Sequence, residues 1–196
     1  MENVPTRIGP VPAQLNPDRR RFIKRSGAIG LSAAAVAMIG GNQSLAAKYQ
    51  ANEQGDVVIL STALGAEREA VAAYQLGAES GLLSPAVLKT AVVFQGHHKE
   101  HADVLAQTIE RLGGRVADEP DGYEFPVSRL KNERNVLEFA ASLEKGAVSA
   151  YLGAVPLFEN RDLSAAAASI LGDEAMHWAI LRQALGLDPV PTAFVS

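Results

Sequence analysis

The feature that most constrains this chain is the spacing of its apolar residues, which recur at steps of three and four from residue 54 to the C-terminus. This period is typical of amphipathic helices packed on a core, whereas half-buried strands alternate with a period of two. The sequence therefore predicts an all-α fold. With 196 residues, of which 47% are hydrophobic and 20% charged, the chain is long enough for one such domain.

Turn and capping residues predict a first helix hairpin. The first helix is predicted over residues 57–79 and stops at Gly81. The second helix begins at Ser84, as the cap, and Pro85, which fits the first turn, and it ends at Gly113. Because the link between these helices is short, we expect them to be antiparallel.

A second hairpin is predicted after a long connection. Residues 115–131 lack helical periodicity and contain proline and glycine, so we expect a crossover there. A third helix fits residues 132–158, where Pro156 would end or kink it, and a fourth fits residues 164–185. The predicted architecture is two antiparallel helix hairpins joined by one long crossover.

The N-terminal residues 1–46 have the pattern of an export signal, and the folded domain is expected over 47–196. Arg19 and Arg20 begin a basic cluster, an apolar run over 27–41 follows, and small residues precede the predicted cleavage point. This pattern resembles a twin-arginine signal, which implies the Tat export machinery as a partner and a periplasmic or otherwise exported location. A retained membrane anchor is the alternative, although the run is shorter than the roughly 20 residues that span a bilayer.

The composition excludes several classes of function. The net charge is −4, and the Lys and Arg residues are scattered outside the N-terminal cluster, which argues against nucleic-acid binding. The sequence contains no Cys, so it cannot form disulfides, Cys-ligated zinc sites or iron–sulfur clusters. Any bound metal must use His, Asp or Glu.

Polar residues interrupt the apolar stripe of each predicted helix near its middle. These inward positions are Glu67 on the first helix, His98 and His101 on the second, Glu144 on the third, and Glu174 and His177 on the fourth. Burial of three carboxylates without counter-charge would cost several kcal/mol each, and metal cations remove that penalty. The sequence therefore predicts a metal site, and its oxygen and imidazole donors suit iron or manganese, with zinc as a further candidate.

Five other residues near these stripes are given a structural interpretation. His97, Glu100 and Asp173 fall beside the inward face and are expected to be flanking residues, and for His97 and Glu100 the alternative is a role as substitute ligands. Tyr74 and Tyr151 are expected to be core residues, each with its hydroxyl hydrogen-bonded, and the alternative is that they hydrogen-bond metal ligands or transfer electrons.

On these motifs, residues 54–187 resemble the ferritin-like di-iron carboxylate proteins, especially Tat-exported ferritin-like and rubrerythrin-like domains. The pattern of that family is a lone Glu on each of two helices and Glu-x-x-His on each of the other two. Glu67 resembles the first element, Glu144 the third, and residues 174–177 match the fourth. The second element differs, because His98 stands where the family has a bridging Glu.

The resemblance implies a ferritin-like four-helix bundle that binds two iron ions, with one ion, or manganese, as the alternatives. It implies redox chemistry with peroxide or oxygen under oxidative or metal stress, of a ferroxidase-like or peroxidase-like kind. Without Cys the chain lacks a rubredoxin-type centre, so an external electron donor is expected. A non-catalytic metal sequestration or delivery protein and a metal-free structural bundle are the other hypotheses, and a homodimer is left open.

Overall fold

The structure is a computed structural model that describes residues 43–195, with side chains from residue 54 onward. Its helices are α1 (Gln43–Glu79), α2 (Pro85–Arg111), α3 (Glu133–Ala154) and α4 (Arg161–Ala184), with short 3₁₀ turns at Val127–Arg129 and Val155–Leu157. Residues 43–195 contain no strand, and the helices form a four-helix bundle. The predicted all-α fold is confirmed, whereas the twin-arginine motif and most of the predicted signal lie outside the described residues.

The bundle consists of two helix hairpins, as predicted. α1 packs along α2, and α3 packs along α4, while residues 112–132 cross from one hairpin to the other. The first turn depends on Gly81, whose φ of 69° favours glycine. Gly114 lies where the crossover leaves α2, and a Cβ there would approach Val57 Cγ1 to 2.7 Å. Glycine thus lets the crossover pass directly against α1.

Two predicted helix starts were wrong, and the third helix is shorter than its predicted range because it ends before Pro156, as the proline predicted. α1 begins at Gln43 instead of residue 57, because the preceding residues are mostly helix formers and Gly55 alone does not break the helix. α3 ends at Ala154, since Pro156 forces a 3₁₀ turn. α4 begins at Arg161, three residues before the predicted start, because the Asn160 side chain accepts a hydrogen bond from the Asp162 backbone N–H and caps the helix.

The predicted position of Ser84 at the start of α2 is confirmed, but its predicted capping hydrogen bond is not. Ser84 occupies the N-cap of α2 and Pro85 the first turn, but the Ser84 side chain makes no capping hydrogen bond within the described part of the chain. The Ser84 backbone N–H instead donates to Glu133 Oε2 at 2.5 Å. This contact joins the start of α2 to the start of α3.

Apolar clusters lie on both sides of the level where the polar residues meet. One cluster contains Tyr74, Ala91, Phe94, Leu137, Leu181 and Leu185. On the other side lie Leu60, Leu64, Leu105, Ile109 and Leu163, next to a smaller group of Tyr151, Ala167 and Ile170. Buried apolar area of this kind supplies most of the free energy of folding, and it holds the polar level in a rigid frame.

A buried carboxylate ties the two hairpins together. Asp56 on α1 is 2% exposed and accepts hydrogen bonds from the backbone N–H groups of Glu159 and Asn160, at 3.0 and 3.1 Å. It thereby fixes the turn between α3 and α4 against α1.

Among the described helices, none combines the length and the apolar character needed to cross a membrane.

Candidate metal centre

The six residues predicted as metal ligands converge at the middle of the bundle. Glu67 comes from α1, His98 and His101 from α2, Glu144 from α3, and Glu174 and His177 from α4. Five of the side chains are at most 3% exposed, and that of His101 is 15% exposed. The inward faces of the four helices place all six side chains at one level of the bundle, as the sequence predicted.

One half of the cluster consists of Glu67, His98, His101 and Glu174. His98 Nδ1 lies 2.8 Å from Glu67 Oε2 and 3.6 Å from Glu174 Oε1. His101 Nδ1 lies 3.5 Å from Glu67 Oε2 and 3.1 Å from Glu174 Oε1. One ligand atom from each residue falls within 4.8 Å of the others, so this group could hold a metal ion.

The other half consists of His98, Glu144, Glu174 and His177. Here His98 Nε2 lies 3.3 Å from Glu144 Oε1, and His177 Nδ1 lies 3.5 Å from Glu144 Oε1 and 3.8 Å from Glu174 Oε2. This group meets the same 4.8 Å criterion. His98 and Glu174 belong to both halves, and Glu174 presents one carboxylate oxygen to each.

The unsatisfied polar atoms of the bundle concentrate at this cluster. Among the described side chains, five buried atoms of the cluster make no contact with the geometry of a hydrogen bond, although ion-pair contacts of 3.1–3.8 Å reach four of them: His101 Nδ1, Glu144 Oε2, Glu174 Oε1, Glu174 Oε2 and His177 Nδ1. Buried polar atoms are nearly always paired in native proteins, because an unpaired one costs about 1–3 kcal/mol. All five atoms are metal-donor atoms, so the residues present fit a metal centre.

Two tyrosines fix the orientation of the carboxylates by bonding across the bundle. Tyr74 on α1 donates its hydroxyl hydrogen bond to Glu144 on α3, and Tyr151 on α3 donates to Glu67 Oε1 on α1 at 2.6 Å. The two contacts are reciprocal between the same two helices. Both tyrosines are buried, as expected for core residues, but the alternative role as partners of the cluster carboxylates is also present.

The histidines of the metal-free cluster hold protons. Burial lowers the pKa of each imidazole, but the carboxylates around it outweigh this effect. The pKa rises to about 10 for His98, beside Glu144 and Glu67, to about 11 for His101, and to about 9 for His177. At neutral pH three imidazolium groups therefore face the carboxylates.

The pKa values of the three carboxylates are shifted in different directions. Burial raises the pKa of Glu67, yet hydrogen bonds from His101 and His98 outweigh it and bring the pKa down to about 2. The same balance, with His177 and His98 as partners, holds the pKa of Glu144 well below its usual range. For Glu174 burial dominates, and the nearby Glu144 adds to it, so its pKa is raised. Glu174 is thus the carboxylate least stabilised in the absence of metal.

His97 and Asp173, which were predicted to flank the inward face, lie at the edge of the site. Asp173 Oδ2 lies 3.1 Å from His97 Nδ1 and 3.4 Å from the Nε2 atoms of both His101 and His177. Asp173 therefore contacts two histidines of the cluster on the nitrogens that face away from Glu144 and Glu174. His97, Asp173 and His177 form a third group of potential ligands, which is partly exposed. Of the residues interpreted as flanking, only Glu100 is exposed and outside these three groups.

A four-helix bundle with a central carboxylate and histidine cluster defines the ferritin-like class of proteins. The sequence profile of the ferritin-like domain family matches residues 55–187, so the chain belongs to this family. A search of curated proteins gives no match.

Two solved structures are similar in fold. A conserved hypothetical protein from Mycobacterium tuberculosis is 21% identical, with a TM-score of 0.63, and the match covers 73% of this chain and 99% of that one. A ferritin-like, diiron-carboxylate protein from Bacillus anthracis is 20% identical, with a TM-score of 0.60, and the match covers 68% of this chain and 97% of that one. At these identities the similarity establishes the fold.

Proposed function

We propose that this protein binds two iron ions in the central cluster and uses them in redox chemistry with peroxide or oxygen. The observation that carries the proposal is the pair of buried ligand groups that share His98 and Glu174, with the ligand atoms of each group within 4.8 Å of one another and five of the donor atoms outside hydrogen-bond geometry. The ferritin-like family and the diiron-carboxylate description of the Bacillus anthracis structure support iron as the metal. Manganese is the alternative for the same oxygen and nitrogen donors.

The charge of the cluster suits two divalent ions. Three carboxylates against two such ions leave one positive charge, which a hydroxide could balance. Glu67 and His101 would hold one ion, Glu144 and His177 the other, and the two oxygens of Glu174 face both positions. His98 would serve one ion only, because a neutral imidazole has a single free nitrogen lone pair.

Bound ferrous ions would supply the two electrons that, with two protons, reduce one peroxide to two waters. The chain's own residues would orient the ligands and exclude water. Tyr74 and Tyr151 hold the carboxylates, Asp173 holds the histidines, and Phe94 stacks on the His177 ring with centroids 4.0 Å apart. The electron donor would be external, because the sequence contains no Cys for a rubredoxin-type centre.

Export through the Tat machinery to the periplasm, with the signal either removed or retained as an anchor, is part of this proposal. It rests on the twin-arginine pattern at Arg19 and Arg20 and on the apolar run over 27–41. A folded passenger could bind its metal before it crosses the membrane.

Metal sequestration or delivery without catalysis is the second candidate function. It is favoured by the partly exposed group of His97, Asp173 and His177, which shares His177 with the buried cluster. Such a group connects the solvent to the centre and would suit exchange of metal.

Elemental analysis and peroxide consumption test these functions on the full chain. We expect about two iron or manganese ions per chain, and peroxide consumption that a chelator abolishes and added ferrous iron restores. Bound metal that exchanges rapidly without peroxide consumption would favour sequestration instead. A chain that binds no metal, and whose melting temperature a chelator does not change, would overturn both functions in favour of a metal-free bundle.

Metal binding is expected to be strongly dependent on pH. The metal must displace protons from His98, His101 and His177, whose pKa values are raised to about 9–11. Each displaced proton contributes roughly tenfold in affinity per pH unit, so the affinity for Mn²⁺, a redox-stable probe, should rise at least tenfold per unit between about pH 6 and 8. Competition with a chelating dye measures it.

The thermal stability of the metal-free chain should decrease as the pH rises, whereas its metal affinity should increase. The contribution of raised histidine pKa values to stability is fully present below the unfolded-state pKa of 6.5, and it is lost as the pH rises through about 9–11. Melting temperatures in a chelator should therefore fall with rising pH while metal affinity increases. A Mn²⁺ affinity that does not change with pH would contradict protonated histidines in the cluster.

A further inference from the structure

The third group of potential ligands lies between the buried cluster and the surface of the bundle. It consists of His97 on α2 and of Asp173 and His177 on α4, and we call it the outer site. The side chains of His97 and Asp173 are 32% and 23% exposed, whereas that of His177 is 2% exposed. An ion from solvent can therefore reach the outer site without separation of the helices.

The three ligand atoms of the outer site have a spacing that suits one small cation. His97 Nδ1 lies 2.8 Å from His177 Nε2, and Asp173 Oδ2 lies 3.1 Å from the first nitrogen and 3.4 Å from the second. Tetrahedral ligands of zinc, at about 2.0–2.2 Å from the ion, are roughly 3.3–3.6 Å apart, so a shift of about half an ångström at His97 would be enough. Asp173 and His177 are four residues apart on α4, which keeps them on one face of that helix.

The ligand types of the outer site favour zinc over manganese. Imidazole nitrogens and carboxylate oxygens are common protein ligands of Zn²⁺, and a water on the exposed side would complete a tetrahedron around the ion. A given set of nitrogen and oxygen ligands binds Zn²⁺ more tightly than Mn²⁺. Zn²⁺ is therefore the probe that suits this site.

The two ring nitrogens of His177 face different sites. Nδ1 faces inward, 3.5 Å from Glu144 Oε1 and 3.8 Å from Glu174 Oε2, whereas Nε2 faces His97 and Asp173. A neutral imidazole has one nitrogen lone pair to give to a metal, since its other nitrogen holds a proton. His177 can therefore bind an inner ion or an outer ion, but not both.

We propose that His97, Asp173 and His177 bind one divalent ion of the zinc type, and that this ion excludes the inner ion at Glu144 and His177. Repulsion between two dications on opposite sides of one imidazole ring adds to the exclusion. Binding at the outer site does not require the inner ions. The exclusion rests on the proposed function, and it makes Zn²⁺ an inhibitor of loading of the second inner ion.

Titration of the full-length Glu174→Gln chain with Zn²⁺ tests the outer site, because this substitution is expected to weaken binding of both inner ions. Calorimetry should give one Zn²⁺ per chain. His97→Gln in the same chain should weaken this binding at least tenfold, because one of three protein ligands is lost. Val92→Gln puts the same side chain at an exposed position of α2 and is the matched control, which should leave the Zn²⁺ affinity unchanged.

A second pair of variants tests the same site if the His97→Gln chain does not fold. Asp173→Asn removes the carboxylate ligand, and Asp103→Asn makes the same change at an exposed position of α2 outside the three ligand groups. In the Glu174→Gln chain, only the first of these should weaken Zn²⁺ binding at least tenfold. Melting temperatures in a chelator show which variants are folded.

The number of Zn²⁺ ions in the unaltered chain tests the exclusion. Elemental analysis of the Zn²⁺-saturated chain after gel filtration should find two ions, and three ions would overturn the exclusion. Equal Zn²⁺ affinity of a folded outer-site variant and its control would overturn the outer site, even if the unaltered chain holds two iron or manganese ions. If the unaltered chain binds neither iron nor manganese, but Zn²⁺ binding depends on His97, the proposed function fails and the outer site stands.

Discussion

Glu174→Gln is expected to weaken binding of both metal ions by more than about 100-fold while the bundle stays folded. Glu174 is the carboxylate shared by both halves of the cluster, and each of its oxygens faces a different position. Loss of a residue that only hydrogen-bonds a metal ligand already lowers metal affinity by about 10–100-fold. Loss of a ligand that both ions share should therefore lower it further. Peroxide consumption should disappear with the metal.

Metal-free Glu174→Gln should be about as stable as the unaltered metal-free chain. Glu174 is fully buried, and burial beside Glu144 raises its pKa although His101 Nδ1 lies 3.1 Å from Oε1, so the fold stabilises its charged form less than those of Glu67 and Glu144. The neutral amide removes an unfavourable buried charge without changing the side-chain volume. This combination of lost metal binding and retained stability distinguishes a metal ligand from a residue that only packs the core.

Glu110→Gln makes the same chemical change at an exposed position on α2 and serves as the control. Calorimetric titration with Mn²⁺ and thermal unfolding in a chelator measure the two quantities. A Glu174→Gln chain that retains its metal and its peroxide consumption would contradict the proposed centre. A large loss of stability in the chelator would show that Glu174 has a structural role instead.

The inward positions of the six cluster residues could be predicted because each helix packs one face against the core. The steps of three and four that place Leu60 and Leu64 in the core also place Glu67 there, and the same argument holds for Glu144 on α3. Helix ends were less predictable. Asn160 and Ser164 are both suitable caps, and only the folded chain shows that Asn160 is used while the Ser164 hydroxyl donates to the Val155 carbonyl.

The edge of the site could not be predicted from single helices. Asp173 precedes Glu174 and therefore points about 100° away from it around α4, off the inward stripe. It joins the site because α2 lies alongside α4 and presents His97 and His101 to it. The position of a neighbouring helix is not contained in the periodicity of either one. The sequence also did not predict the groove that lies between α1 and α3. Small residues occur both where helices approach closely and where they leave a gap, so their presence does not distinguish the two cases.

His98→Glu is expected to have opposite effects on the metal-free and the metal-bound protein. His98 is 2% exposed and lies between Glu67 and Glu144, at 2.8 and 3.3 Å. Glutamate there would put four carboxylates against two histidines. Loss of one partner of a buried ion pair costs about 3–5 kcal/mol, which for a domain of this size lowers the melting temperature by on the order of 10 °C. Unfolding in a chelator measures this loss.

Metal should reverse the destabilisation of His98→Glu and increase the number of tightly bound ions. A carboxylate can bridge two metal ions, whereas neutral His98 can bind one, so the second ion should bind at least tenfold more tightly in the variant. Gln95→Glu adds a buried carboxylate on α2 outside the cluster and is the matched control. Its stability should respond to Mn²⁺ no more than that of the unaltered chain. If metal leaves the stability of His98→Glu unchanged, the four carboxylates do not surround a metal, and the central level is a hydrogen-bonded polar network.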